Sequence, residues 1–168
     1  MQYVPPELRL ALADRSFVQD GSRRWSPEHA LRVLGDERVG AVRPAIEALE
    51  AALLPVERRW LGDRLTLLWT MFMASRTTSD PDAVTIWMAE YIRLLGDLPH
   101  DIAEAAIDGA VRGARHGFIP SVGEVRAIAD PLLVERQEQL SRLRLVEEAL
   151  GGSCVSNRVT GNAGRRNA

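Results

Sequence analysis

The segment PVERRWLGDRLTLLWTMFMAS, residues 55–75, constrains the fold more than any other stretch of the chain. Leu61, Leu65, Leu68 and Phe72 fall at i, i+4, i+7 and i+11 within it. On a helix of 3.6 residues per turn they form one continuous apolar stripe, which Trp69 and Met73 widen. Such a stripe must be buried against other elements. Strand signals are weak: Val, Ile and Thr are not gathered into alternating runs, and no Asn-Gly or Asp-Gly turn sits between two apolar runs. The other apolar residues also recur at helical spacing. The expectation is an all-α protein of six or seven helices, a compact antiparallel helical bundle with an N-terminal helical region and a projecting C-terminal helix.

Punctuation divides the chain further. A short helix starts at Pro6 and reaches about Asp14, and FVQDGSRRW reads as a loop. Ser26-Pro27-Glu28 is a helix start, with a capping hydroxyl, a proline at the first helical position and an acid in the first turn. That helix stops at Leu34-Gly35. The next runs from Asp36 to about Leu53, and Pro44 inside it should kink or split it. Pro55 opens the central apolar helix, and RTTSD breaks it. Ser79 or Asp80 caps a helix whose Val84, Trp87, Met88, Tyr91 and Leu95 share a face, with Gly96 at its end. Ile102, Ala106, Ala110 and Ala114 mark a helix with a small face, closed by Gly117. Ser121 opens a short helix to Ala129, where Asp130-Pro131 kinks it or caps a new one. From there to Leu150 a thin stripe of Leu133, Leu140, Leu143, Val146 and Leu150 runs among many charges. It suits a helix that projects, lies along a surface or pairs with another chain. Gly151-Gly152 closes it, and the acid-free remainder is polar enough to be disordered. The expected organisation is therefore an N-terminal helical region (1–53), a core bundle (54–130), an outlying amphipathic helix (131–150) and a disordered tail (151–168).

Charge and composition narrow the function. The net charge of −2 provides no global field for holding nucleic acid. All 21 basic residues are arginine, a bias that a GC-rich genome explains without any phosphate-binding role. The lone Cys154 makes neither an internal disulfide nor a zinc cluster. No signal-peptide core is present, and the longest apolar run, LTLLWTMFMA, is about half a membrane span. These features imply a cytoplasmic protein with no membrane contact.

Catalytic patterns are missing. His29, His100 and His116 are scattered and read as surface or capping residues. Asp101, Glu104 and Asp108 line one helix face at i, i+3 and i+7 and read as an exposed acidic stripe. GxGxxG, Walker and GxSxG sequences do not occur. The chain is expected to be non-enzymatic and to need no cofactor or metal. Arg23, Arg24 and Trp25 lie in a loop, where two guanidinium groups and an indole could meet phosphate and base. The alternative is that Trp25 is a hydrophobic staple ahead of the Ser26 cap.

The most patterned stretch is ARHGFIPSVGEVRAIAD, residues 114–130. Ser121 and Glu124 have capping-box spacing, with Phe118 or Ile119 as the staple. Pro120 keeps Ile119 extended, so the preceding helix cannot run on. Arg112 and Arg115 suit the last turns of a helix. Arg112, Arg115 and Arg126 around Phe118 then form a basic edge suited to recognition, at which Arg115→Glu should impair partner binding without loss of helicity.

The run IWMAEYIRLLGDLPHDIAEAAIDGAVRGARHGFIPSVGEVRAIAD resembles segments of small helical phage and prophage replication proteins related to replicative-helicase loaders. The shared pattern is an aromatic-containing helix, LLGDLP, an alanine-rich helix and F-x-P-S-x-x-E-hydrophobic-R, over about residues 54–135. The resemblance implies a replication accessory or helicase-loader-like adaptor that acts by protein binding, with a replicative helicase as partner and local arginine contacts to DNA. The surfaces it would use are Arg112, Arg115, Phe118 and Arg126 at the turn, and Leu133, Leu140 and Leu143 on the C-terminal helix. Two other readings stay open, a DNA-binding regulator and an inhibitor or interaction protein of a mobile element.

Overall fold

The computed structural model describes residues 3–13, 16–17, 23–73, 80–114 and 117–160. Among them are seven α-helices: α1 (Pro6–Ala13), α2 (Pro27–Leu34), α3 (Val42–Ala52), α4 (Arg58–Met73), α5 (Pro81–Leu95), α6 (His100–Gly113) and α7 (Val122–Thr160). A 3-10 turn spans Asp36–Ala41. The protein is all-α apart from a two-residue antiparallel ladder, β1 (Ser16–Phe17) with β2 (Arg23–Arg24), in a stretch expected to be pure loop. No helix among the described residues is long and apolar enough to cross a membrane.

The chain divides into two compact units, Met1–Ala52 with Gln137–Ala168, and Leu53–Arg136. The second is the bundle. Its polypeptide enters through Pro55, which bridges to Pro99, and Val56 N–H donates to the Leu98 carbonyl at 2.8 Å. The central helix consequently begins at Arg58 rather than at Pro55. Leu61, Leu65 and Leu68 are buried, and Phe72 packs partly exposed against the same core. Asp80 caps α5 by accepting from the Asp82 N–H at 3.0 Å. Ile102, Ala103, Ala106, Ile107 and Ala110 bury the small face of α6.

Side-chain pairs fix the helix directions. Trp60 lies on His100 with ring centroids 4.1 Å apart, and Arg64 pairs with Asp108, so α4 runs parallel to α6. Trp69 meets Trp87 at 5.1 Å while Gly62 faces Ile92, so α4 is antiparallel to α5. Tyr91 O–H donates to the Pro120 carbonyl at 2.8 Å and Arg126 donates to the Leu94 carbonyl, which sets the start of α7 beside α5 in parallel. Gly109 faces Ile128 and Asp101 pairs with Arg136, so α7 is antiparallel to α6. The result is an up-down-up-down four-helix arrangement, as short connections favour. The end of α4 lies toward the start of α5, while the start of α7 lies beside the end of α6 and the last turns of α5.

The other unit has its own core. Leu8, Ala11 and Leu12 of α1, Ala30 and Leu34 of α2, and Val42, Ala45, Ile46 and Leu49 of α3 are buried. Ser26 caps α2, its Oγ accepting from the His29 N–H at 3.2 Å. Pro44 does not kink its helix. The helix starts only at Val42, after the 3-10 turn, so the proline occupies the first α-helical turn, where a proline disrupts least. The later part of α7 completes this core with Leu140, Leu143 and Val146, which are 8 %, 0 % and 0 % exposed. The expectation of an outlying helix at 131–150 is corrected by these values: three residues of the thin stripe are core. Polar contacts follow them, with Arg144 on Glu50 at 2.7 Å and Arg43 on Glu147 at 3.1 Å.

Other helix boundaries also move. α6 ends at Gly113, and Gly117 instead takes a left-handed φ of 68° within the connection to α7. α7 is not broken at Pro131. Pro131 and Ala127, whose carbonyl loses its helical donor there, are both exposed, so water can satisfy the carbonyl. The helix also continues past Gly151 and Gly152 to Thr160, because glycine lowers helix propensity by about 1 kcal/mol but removes no hydrogen bond. Residues 161–168 of the expected tail lie outside the described residues.

Candidate functional site: the aromatic end of the bundle

Burial changes along the bundle. At the end where α4 starts and α5 finishes, Leu61, Leu65, Leu95, Leu98 and Ile102 are all 0 % exposed. At the opposite end Phe72 on α4 and Val84, Trp87 and Met88 on α5 are only partly buried. Trp69, Trp87 and Tyr91 form a run of tilted rings, with successive centroids 5.1 and 4.2 Å apart. Burial raises the Tyr91 phenol above its ordinary range, against an opposing lowering by its contact with Trp87. Its hydroxyl anchors on Pro120, the buried residue that precedes the capping box.

The turn that follows α6 meets the aromatic run at Tyr91, through Pro120. Ser121 and Glu124 form the full capping box: Glu124 N–H donates to Ser121 Oγ at 3.2 Å, and Ser121 N–H donates to Glu124 Oε2 at 2.7 Å. These hydrogen bonds hold the Glu124 carboxyl below its ordinary range. Ile119 packs against the core, so it is the side chain that acts before the cap. Phe118 is 61 % exposed. Met71 on α4 is also 61 % exposed, and Leu67, one turn earlier on the same stripe, 50 %. Large apolar side chains are thus both half-buried along the aromatic run and exposed near it.

The basic edge expected here is only partly present. Arg112 is exposed in the last turn of α6. Arg115 and His116 lie outside the described residues. Arg126 has partners within the bundle: its guanidinium donates to the Leu94 carbonyl and pairs with Asp97 and Asp130. It thereby occupies a carbonyl at the end of α5 and ties α5 to α7. Leu133 packs partly buried against the bundle core. The buried Leu140 and Leu143 cannot meet a partner without breaking the N-terminal unit.

The Arg23–Trp25 cluster is also structural where it is described. Trp25 Nε1 donates to the Ala11 carbonyl at 3.2 Å, and the Arg142 guanidinium lies 5.4 Å from the indole centroid. Arg142 also donates to the Leu12 carbonyl at 2.5 Å. The indole therefore links α1 to α7 within its unit rather than standing ready for a base. Arg24 is exposed, and the side chain of Arg23 lies outside the described residues.

Two of the three acids read as a solvated stripe are paired: Asp101 with Arg136, and Asp108 with Arg64. Sequence reasoning missed Arg136 because its partner is 35 residues away and its neighbourhood is highly charged. Among the described residues no group of three or more His, Cys, Asp or Glu is placed to hold a metal ion. No family model, no curated protein and no solved structure matches the chain.

Proposed function

We propose that the chain is a non-enzymatic binding protein, a phage- or prophage-type replication accessory or helicase-loader-like adaptor. It engages its protein partner through the aromatic end of the bundle. The observation that carries this reading is the set of half-buried aromatic residues Trp69, Phe72, Trp87 and Tyr91, with Met71 exposed on α4 and Phe118 exposed in the turn that meets Tyr91 through Pro120. Binding energy at protein interfaces concentrates in aromatic residues that a partner finishes desolvating. Burying a fully exposed side chain is worth about 1.5–3 kcal/mol, so finishing the burial of a half-buried one contributes roughly half of that, and several must act together. The resemblance of residues 54–135 to helicase-loader-related proteins supplies the class of partner.

The test is calorimetry of the full chain against a purified hexameric replicative helicase. A saturable complex is expected, and Met71→Asp and Phe118→Ser should each weaken it about tenfold, the equivalent of about 1.4 kcal/mol. Far-UV circular dichroism of both variants should match the parent, since both positions are exposed. Absence of a complex at tens of micromolar would rule out the helicase. A complex indifferent to both substitutions would remove the aromatic end from the interface.

A further inference from the structure

The bundle carries a second surface. A groove of about 430 Å³ lies between the approach to α4 and the last turns of α5. Val56, Ala89 and Ile92 give it an apolar lining, and Gly96 leaves one side without a side chain. Arg58 and Arg93 supply its positive charge. Its one lining carboxylate, Glu90, is held by Arg93 at 2.6 and 3.0 Å, so the groove keeps a net positive charge. Placement sharpens the point. Arg58 and Arg59 fill the first turn of α4, which holds no acid. Backbone N–H groups and the helix dipole make that turn positive already, and cations there are unfavourable. Among the described residues Arg58 makes no ion pair, and it is exposed at the groove.

We propose that this groove receives an acidic, leucine-bearing segment of a protein partner. A carboxylate on the segment pairs with the Arg58 guanidinium in the two-pronged geometry that arginine favours. An apolar side chain of the same segment covers Val56 and Ile92. The apolar lining selects a peptide over a phosphate backbone, which would bring charge but nothing to bury there. The groove and the aromatic cluster share α5 but are lined by different side chains, so failure of helicase binding at Met71 and Phe118 leaves this proposal standing, and the reverse also holds.

The experiment titrates the full, isotope-labelled chain with three acetylated 12-residue peptides and reads backbone amide shifts. One peptide alternates pairs of leucine and glutamate, the second replaces glutamate by glutamine, and the third replaces it by arginine. A thymidine dodecamer is the fourth titrant. Saturable shifts at Val56, Ala89 and Gly96 with the glutamate peptide alone are expected. Arg58→Glu should weaken that binding at least tenfold, and Arg58→Lys, which keeps the charge but loses the two-pronged geometry, should weaken it less. The proposal is overturned if the three amides stay still, if the glutamine or arginine peptide shifts them equally, or if the oligonucleotide shifts them instead. Unchanged affinity in Arg58→Glu overturns it as well.

Discussion

At the scale of single residues, arginine's role here is mainly to organise structure. Arg136 is 5 % exposed and makes a two-pronged contact with Asp101 at 2.6 and 2.9 Å. Asp101 is 29 % exposed, so water shares part of its charge. Removing one partner leaves the other charge poorly compensated, whereas replacing both by apolar groups removes the penalty as well. Arg136→Ala should therefore cost about 3 kcal/mol in urea unfolding. The double variant Arg136→Met with Asp101→Leu should recover most of that loss; a double variant no more stable than Arg136→Ala would refute this account. Gly109 makes a second residue-scale case. A Cβ there would lie 3.1 Å from Ile128 Cδ1, so α6 and α7 approach closely at that point. Gly109→Val should lower stability by about 1–3 kcal/mol, read as a drop in the urea midpoint.

At the scale of the element, helix starts were legible and helix ends were less so. Ser26, Asp80 and Ser121 each cap the helix that the sequence assigns to them, because a cap is a contact between residues two or three apart. Gly117, Pro131 and the Gly151-Gly152 pair misled for the complementary reason. What they do depends on which side of the element meets water, and that is a tertiary property. The candidate site was legible in the same measure. The turn, the capping box and the exposed Phe118 could be read locally, whereas the pairing of Arg126 with Leu94 and Asp97 joins residues 29 and 32 positions apart. The capping box carries its own prediction. A carboxyl depressed in the folded state adds stability above its unfolded value, near ~4.3 for glutamate, and loses that contribution as pH falls through the lower folded value. Titration of Glu124 by side-chain NMR should give a midpoint below the ordinary glutamate range. Ser121→Ala should return it toward that range and destabilise the helix start by about 1 kcal/mol. A Glu124 midpoint at the ordinary value would remove the box. Pro131→Ala, on the exposed side of α7, should raise the melting temperature, since it restores one backbone hydrogen bond and a better helix former.

At the scale of the whole molecule, the all-α class and the bundle could be read from periodicity, but the division of the chain could not. Leu140, Leu143 and Val146 form a stripe too thin to look like core. The other buried residues of the same unit, such as Leu8, Ile46 and Leu49, sit roughly 90 to 140 residues earlier. No window of sequence contains both. A chain ending at Arg136 should therefore keep the bundle protected in hydrogen exchange while amides of α1 to α3 exchange rapidly. Equal protection in both regions would show that the N-terminal unit does without the end of α7. The discontinuity also sets an order of assembly on the ribosome. The bundle is contiguous and can fold as soon as residues 53–136 have emerged. Residues 1–52 must wait for the later part of α7, which is translated after the bundle. During that interval α1, α2 and α3 carry unburied leucines, so their exposure to chaperones and proteases is governed by the time needed to synthesise roughly the next hundred residues, several seconds at ~5–20 residues per second.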